Sequence, residues 1–513
     1  MGQICGEKGR VLKNVIVLSA SVMLISVALV SLQDIESTIN SSKGIGVLSL
    51  CSFYSVTSIL PCIVAPVVTD KLGCKWAIVM GIALRNVYTA VHFYATEWAL
   101  IIGGLIGGMG NIPIWTAGGT MITELAEEYA SATATDVEVY VNKFNGVFYS
   151  FYQCSHVIGN LISTLCLTRL DVQFDLSDKR HCGMKVCPRK YLQSSQMSQN
   201  NEDKKTVYLM VALLLFCGLL AIILAICILD NTHNRIQEVE ESRSLIHKRL
   251  MQAYDYKTEE CDNGARQQEG NTASDYYITK RIRKTLGMMF DKKVLLMTPL
   301  MIFTGTNLTW LFTDFTQSFM TCNAGVDIIG RGMIFFGVAD TSGSLLVGMV
   351  EKYISRYIMF LGAFVINLSI WTSLVVFNPS QIWFLYFVPI MWGFTDAIWE
   401  TQTSAYIGVT FSQSDVVDVY SIWRSWQYFG YTVYLATTHF FCMSVKVYIQ
   451  LLLSITMITM FIISEILTTK GYFGERESLL SAAFGSPAVR IEGLASHSWG
   501  PKTYAAKTRD SLQ

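Results

Sequence analysis

The chain has 513 residues, 51% hydrophobic and only 15% charged, with a mean hydropathy of +0.38. Soluble domains carry roughly 25% charged residues, so this chain has too few to coat a water-facing surface of its size. Lys and Arg equal Asp and Glu, for a formal net charge of +0, which excludes the basic excess of a nucleic-acid partner.

A helical crossing of the bilayer needs about 20 mostly apolar residues. Runs of that kind fall at 12–32, 45–68, 76–95, 98–122, 143–167 and 206–229. After a polar stretch at 230–293, six more follow at 294–316, 328–349, 357–377, 382–409, 419–441 and 446–467. The expected fold class is therefore an all-α polytopic membrane protein of about twelve transmembrane helices. The expected divisions are an N-terminal six-helix half at 1–229, a cytosolic central loop at 230–293, a C-terminal six-helix half at 294–467 and a disordered cytosolic tail at 468–513. The first run has no small-residue cleavage site and reads as a span rather than a signal peptide. Gly6 stands where an N-myristoylation signal needs Ser or Thr.

Lys8, Arg10 and Lys13 precede the first span, Lys71 and Lys75 follow the second, Lys352 and Arg356 the eighth, and Lys470 and Arg476 the last. With twelve spans all these fall on one side, which places both termini in the cytosol. The basic 169–205 loop and the acidic 124–138 loop oppose that assignment, the first weakly because long loops count for less. Asn40-Ser41-Ser42 is then a glycosylation acceptor in the first outer loop. Cys182 and Cys187, in the 169–205 loop, are candidates for a local disulfide on the oxidising side. The other cysteines mostly sit in apolar runs as small hydrophobes.

The two halves repeat each other. Asp70-Lys71-Leu72-Gly73-Cys74-Lys75 follows the second span and Glu351-Lys352-Tyr353-Ile354-Ser355-Arg356 the eighth. Ile114-Trp115-Thr116-Ala117 in the fourth span is matched by Ile398-Trp399-Glu400-Thr401 in the tenth. Such a duplication is the mark of transporter folds built from two six-helix bundles. Gly73 suits a tight turn, and the flanking charges suit helix ends. The cluster Asp70, Lys71, Gly73, Lys75, Glu351, Lys352 and Arg356 reads either as a latch between the halves or as ordinary positive-inside turns.

These features resemble the major facilitator superfamily, whose loop after the second helix reads Gly-x-x-x-Asp-Arg/Lys-x-Gly-x-Lys. Here Pro66 replaces the first Gly, while Asp70, Lys71, Gly73 and Lys75 match. More closely, the chain resembles the Unc-ninety-three family, nearest its homologue A branch. The resemblance rests on Lys71-Leu72-Gly73-Cys74-Lys75, Ile112-Pro113-Ile114-Trp115, Gly159-Asn160-Leu161-Ile162-Ser163, Thr395-Asp396-Ala397-Ile398-Trp399-Glu400-Thr401-Gln402 and Val445-Lys446-Val447-Tyr448-Ile449. It implies a non-enzymatic regulatory partner of two-pore-domain potassium channels. The same family also implies, as alternatives, an escort of receptors to endosomes or a secondary transporter of a small solute. Pro66 counts against ordinary alternating access.

Ionisable residues inside spans are costly and are the first functional candidates. Here they are Arg85, Asp314, Asp340, Asp396, Glu400 and Arg424. Asp396 and Glu400, four apart, share a helix face and serve either as a proton or cation site or as structural partners of Arg424. His156 reads as a hydrogen-bonded core residue. Gly103, Gly104, Gly107 and Gly108 read as helix packing, and Asn111 with Pro113 either as a kink that neighbouring helices satisfy or as an interruption of the fourth span at a cavity. No Ser-His-Asp, Cys-His or HExxH arrangement occurs, so no enzyme, metal or cofactor is expected.

Two segments fit an acidic dileucine pattern that adaptor proteins read: Glu475 with Leu479 and Leu480, and Glu241 with Leu245 and Ile246. Lys280, Arg281, Arg283 and Lys284 suit either anionic membrane lipid or positive-inside anchoring.

Overall fold

The computed structural model describes residues 2–39, 45–167, 182–187, 201–231, 269–325, 327–377, 381–438 and 440–469. Among them all regular structure is helical. The first six helices are α1 (Gly2–Ile39), α2 (Ile45–Ile59), α3 (Pro61–Val91), α4 (Glu97–Thr133), α5 (Val137–Leu167) and α6 (Asn201–Cys227). After them come α7 (Glu269–Met288), α8 (Lys292–Trp310), α9 (Asp327–Val350) and α10 (Arg356–Phe377). The last three are α11 (Ile382–Thr410), α12 (Gln413–Thr437) and α13 (Met443–Thr469).

Eight helical segments, in α1, α4, α6, α8, α9, α10, α11 and α13, are long and apolar enough to cross a membrane. Another crossing is bent, its parts Leu48–Ile59 and Pro61–Tyr94 inclined by 67°. Pro61 opens the second part, where a missing backbone donor costs least. Gly73, at φ 73° and ψ 164°, then interrupts the helical backbone inside α3. That backbone conformation strains any residue with a Cβ. α5 and α12 lie in the same bundle but are more polar, since they bury Asn142, Asn145, Gln153, His156 and Asn160, and Asp418, Arg424 and Gln427. With them the chain is the all-α polytopic membrane protein expected.

Two local expectations change. α4 runs unbroken through Asn111 and Pro113; Trp115 Nε1 donates to Asn111 Oδ1 at 3.2 Å, which uses that side chain within the helix. The central segment is not loop throughout, because α7 occupies Glu269–Met288.

Lipid tails are as apolar as leucine, so close backbone approach and internal polar bonds hold such a bundle together. The Gly103–Gly108 stretch seats α4 against α2 and α3. Between the halves, α5 packs along α9 and α2 against α12. A Cβ on Gly146 of α5 would stand 2.8 Å from the Cα of Gly348 in α9, so neither position has room for a side chain.

Candidate functional site

α8 continues into a π-helical stretch, Leu311–Thr321, and a last turn, Cys322–Ala324. Such stretches re-aim side chains and often accompany functional sites. Asp314 sits in it, and Lys446 of α13 donates to both its carboxylate oxygens at 2.8 and 3.0 Å, with Tyr434 donating to the same group. The ion is thereby neutralised inside the second half.

The remaining charges of the second half gather near the middle of α9, α11 and α12. Arg424 Nη1 lies 3.2 Å from Glu400 Oε2 and donates to Gln427 Oε1 at 2.5 Å, while its Nη2 donates to Tyr149 at 2.7 Å. Its guanidinium is also set against two rings, 3.9 Å from the Trp423 centroid and 4.3 Å from that of Trp115. Gln427 donates onward to Glu400. Of the two acids expected on one face of α11, Glu400 therefore takes the arginine. Asp396 accepts from Gln153 Nε2 at 3.4 Å and lies against Asp340 of α9.

Arg85 differs from all of these. It is buried in α3, and among the described residues its Nη2 reaches only the Ile25 carbonyl at 3.4 Å and its Nη1 has no hydrogen-bond partner. It lines a cavity between the halves. Ser26, Gln33, Tyr54, Trp115, Tyr152 and His156 form the wall from the first half, and Leu308, Phe312, Tyr428 and Tyr431 from the second. His156 is not hydrogen-bonded as the sequence suggested. Both its ring nitrogens are unpartnered, and the ring stacks on Phe312 with centroids 5.3 Å apart.

At one end of the bundle, the expected latch takes another form. Asp70 reaches across not to the Glu351–Arg356 loop but to α7, where Arg281 Nε donates to it at 2.7 Å. Arg281 Nη1 also donates to both oxygens of Asp418 in α12 at 2.6 Å, and Thr285 Oγ1 adds a third bond to Asp418 at 2.7 Å. Partial burial works against the Arg281 charge, but Asp70 and Asp418 together raise its pKa. Asp415 is likewise half-buried, yet Lys284, Ser412 and Ser414 hold its carboxyl below the usual range. Arg281 is thus a clamp residue and not the lipid anchor its sequence neighbours suggest; Lys280 and Arg283 remain exposed.

Of the latch residues, Arg356 joins the halves through Glu138 of α5 at 3.0 Å. Lys75 instead donates to the Ile226 carbonyl within its own half at 3.0 Å, Lys352 lies over the Tyr353 ring, and Lys71 is exposed. Glu351 is half-buried, which with Glu138 nearby raises its pKa.

At the opposite end, Cys182 and Cys187 are both in disulfides, but not with each other. Cys182 is joined to Cys322 at the end of α8, and Cys187 to Cys442 just before α13. Cys182 and Val186 are extended and flank the short turn Gly183–Lys185, so the two thiols reach different partners in the second half. A backbone bond from Met443 N to the Val186 carbonyl, 2.9 Å, fixes the segment there. Asn40, Glu241, Leu245, Ile246, Glu475, Leu479 and Leu480 lie outside the described residues.

Sequence reasoning missed the roles of Lys446 and Gln427. Lys446 stands near the start of an apolar run, where a lysine reads as an interfacial anchor, and Gln427 carries no charge to flag it. Among the described residues no group of three or more His, Cys, Asp or Glu side chains could hold a metal.

A family model described as ion channel regulatory protein UNC-93 matches residues 36–464. The protein unc-93 homolog A of Xenopus laevis is 30% identical over 445 residues, covering 86% of this chain and 90% of that one. A Caenorhabditis elegans relative, unc-93, named as a candidate potassium channel regulatory protein, is 24% identical over 434 residues, 83% of this chain and 57% of its own. Among solved structures, the proton:xylose symporter XylE superposes with a TM-score of 0.58 at 12% identity, covering 90% of this chain and 96% of that one. At that identity the likeness speaks to the fold alone, which is that of the major facilitator superfamily.

Proposed function

This chain belongs to the UNC-93 family, and we propose that it is a non-enzymatic accessory protein that binds a two-pore-domain potassium channel in the membrane and alters its gating or delivery. The observation that carries this reading is the family match, which spans both halves of the bundle. Two ion pairs of the second half support it, because Arg424 with Glu400 and Lys446 with Asp314 neutralise one another in place. The test is co-expression with such a channel, measuring current and surface density together. A changed current at constant density assigns the effect to gating, and a changed density assigns it to delivery. Current and density both unchanged would reject the reading.

The same proposal sets the orientation. The end with Arg281 and Arg356 faces the cytosol with both termini, and the disulfide end faces an oxidising compartment. Asn40 is then glycosylated. Adaptor proteins would read Glu475, Leu479 and Leu480, or Glu241, Leu245 and Ile246, and cycle the chain between plasma membrane and endosomes. The same motifs would serve a receptor escort. The cavity between the halves favours a second reading, secondary transport of a small solute, in which Asp396, Glu400 and Arg85 would take part. Transport fits the buried ion pairs less well.

A further inference from the structure

We propose that the outer face of α7 binds a membrane phospholipid whose headgroup carries a phosphomonoester, that is, a phosphorylated inositol lipid. The proposal needs no channel; only its assignment to the cytosolic leaflet rests on the orientation proposed above.

α7 has two faces. Ile278, Arg281, Ile282, Thr285 and Met288 recur at helical spacing and form the inward stripe. Met288 packs on the core of the bundle, Thr285 is fully buried, and Arg281 holds Asp70 and Asp418. The opposite face carries Lys280, Arg283 and Leu286, continued past the helix end by Phe290, and all four are exposed. Lys284 at the edge between the faces is also exposed, but it is paired with Asp415. Among the described residues Lys280 and Arg283 have no ion pair. The inward face therefore accounts for the clamp, and the two outward cations are left without a role in it.

The order of residues along the outer face sets its depth. The cations come first, then Leu286 and Phe290, 41% and 80% exposed, and then α8, which is long and apolar enough to cross a membrane. An exposed phenylalanine is unfavourable in water and favourable at the boundary of headgroups and acyl chains. Trp76 of α3, six residues beyond the Asp70 that Arg281 holds, is likewise exposed and suits the same boundary. Lys280 and Arg283 then stand at headgroup level, with apolar side chains below them, which selects a lipid over a free phosphate.

Charge narrows the class further. Residues three apart on a helix have Cβ atoms about 5–6 Å apart, so the two cations repel each other unless an anion joins them. A phosphomonoester brings close to two negative charges and three acceptor oxygens, enough for both, and the arginine fork can take two of those oxygens.

The test uses the full chain in phosphatidylcholine nanodiscs, titrated with a fluorescent short-chain phosphatidylinositol monophosphate against discs without protein. Saturable binding is expected, competed poorly by short-chain phosphatidylserine and by inositol phosphate without acyl chains. Lys280→Gln should weaken binding about 5-fold, and the double variant with Arg283→Gln about 30-fold, as for the loss of one and two cations at a membrane surface. Phe290→Ser should weaken it by a smaller factor. These side chains are exposed, so the thermal midpoint should not move. Absent saturable binding, full affinity in the double variant, equal competition by phosphatidylserine or equal competition by the chain-free headgroup would each overturn the proposal. Discs present both leaflets and hold no channel, so the result stands apart from the orientation and from channel regulation.

Discussion

Arg424 and Arg85 are both almost wholly buried, yet their surroundings have little in common. Arg424 has an acid, an amide, a phenol and two indole faces around it, supplied by α4, α5, α11 and α12. Arg85 has one long contact to a carbonyl, and a cavity. Arg424 is thus partnered from both halves, whereas Arg85 has no acid partner among the described residues. Burial alone does not distinguish a structural ion from a functional one; the inventory of partners does.

The largest effect should come from breaking the satisfied group. Arg424→Ala leaves Glu400 buried without its cation, a loss of about 3–5 kcal/mol by analogy with other buried pairs. Thermal unfolding in detergent should show a sharply lowered midpoint or too little folded protein to purify. An unchanged midpoint would mean that the pair is not what holds α11 to α12. Arg85→Met should move stability the other way, by roughly 1–4 kcal/mol, because it replaces an unpaired buried charge with an apolar side chain of similar length. A lowered midpoint there would show that the protein itself satisfies Arg85. The smallest effect belongs to the clamp at the end of the bundle. Arg281→Ala should cost about 1–3 kcal/mol, because it leaves the buried Asp418 with only Lys284 and Thr285. Because α7 is held through this residue, protease access to α7 should rise more visibly than the midpoint falls.

The spans, their division into two groups and the intramembrane charges were legible because bilayer thickness and charge cost leave few alternatives. Partner choice was not. Glu400 and Asp396 lie on one face of α11, and only the position of α12 decides that Arg424 meets the first. Arg281 sits in a basic run whose local pattern suits a lipid surface, and its acids are 211 and 137 residues away. Pro113 reads either as a kink or as a break in the span, and α4 continues through it. Transmembrane helices tolerate proline when neighbours compensate the lost bond, a compensation that one chain segment does not reveal. The expected bridge between Cys182 and Cys187 failed for a related reason. Nearness in sequence favoured it, but the extended segment sends the two thiols to the second half.

That disulfide pattern bears on how the chain is made. Cys182 and Cys187 are synthesised 140 and 255 residues ahead of their partners, and Cys442 immediately precedes the final span. Cys187 can meet its native partner only once Cys442 has been made, whereas Cys182 needs the chain only as far as Cys322. Oxidation of this face therefore registers completion. A chain truncated before Cys442 could not form the second bridge, and would leave the Cys187 thiol free.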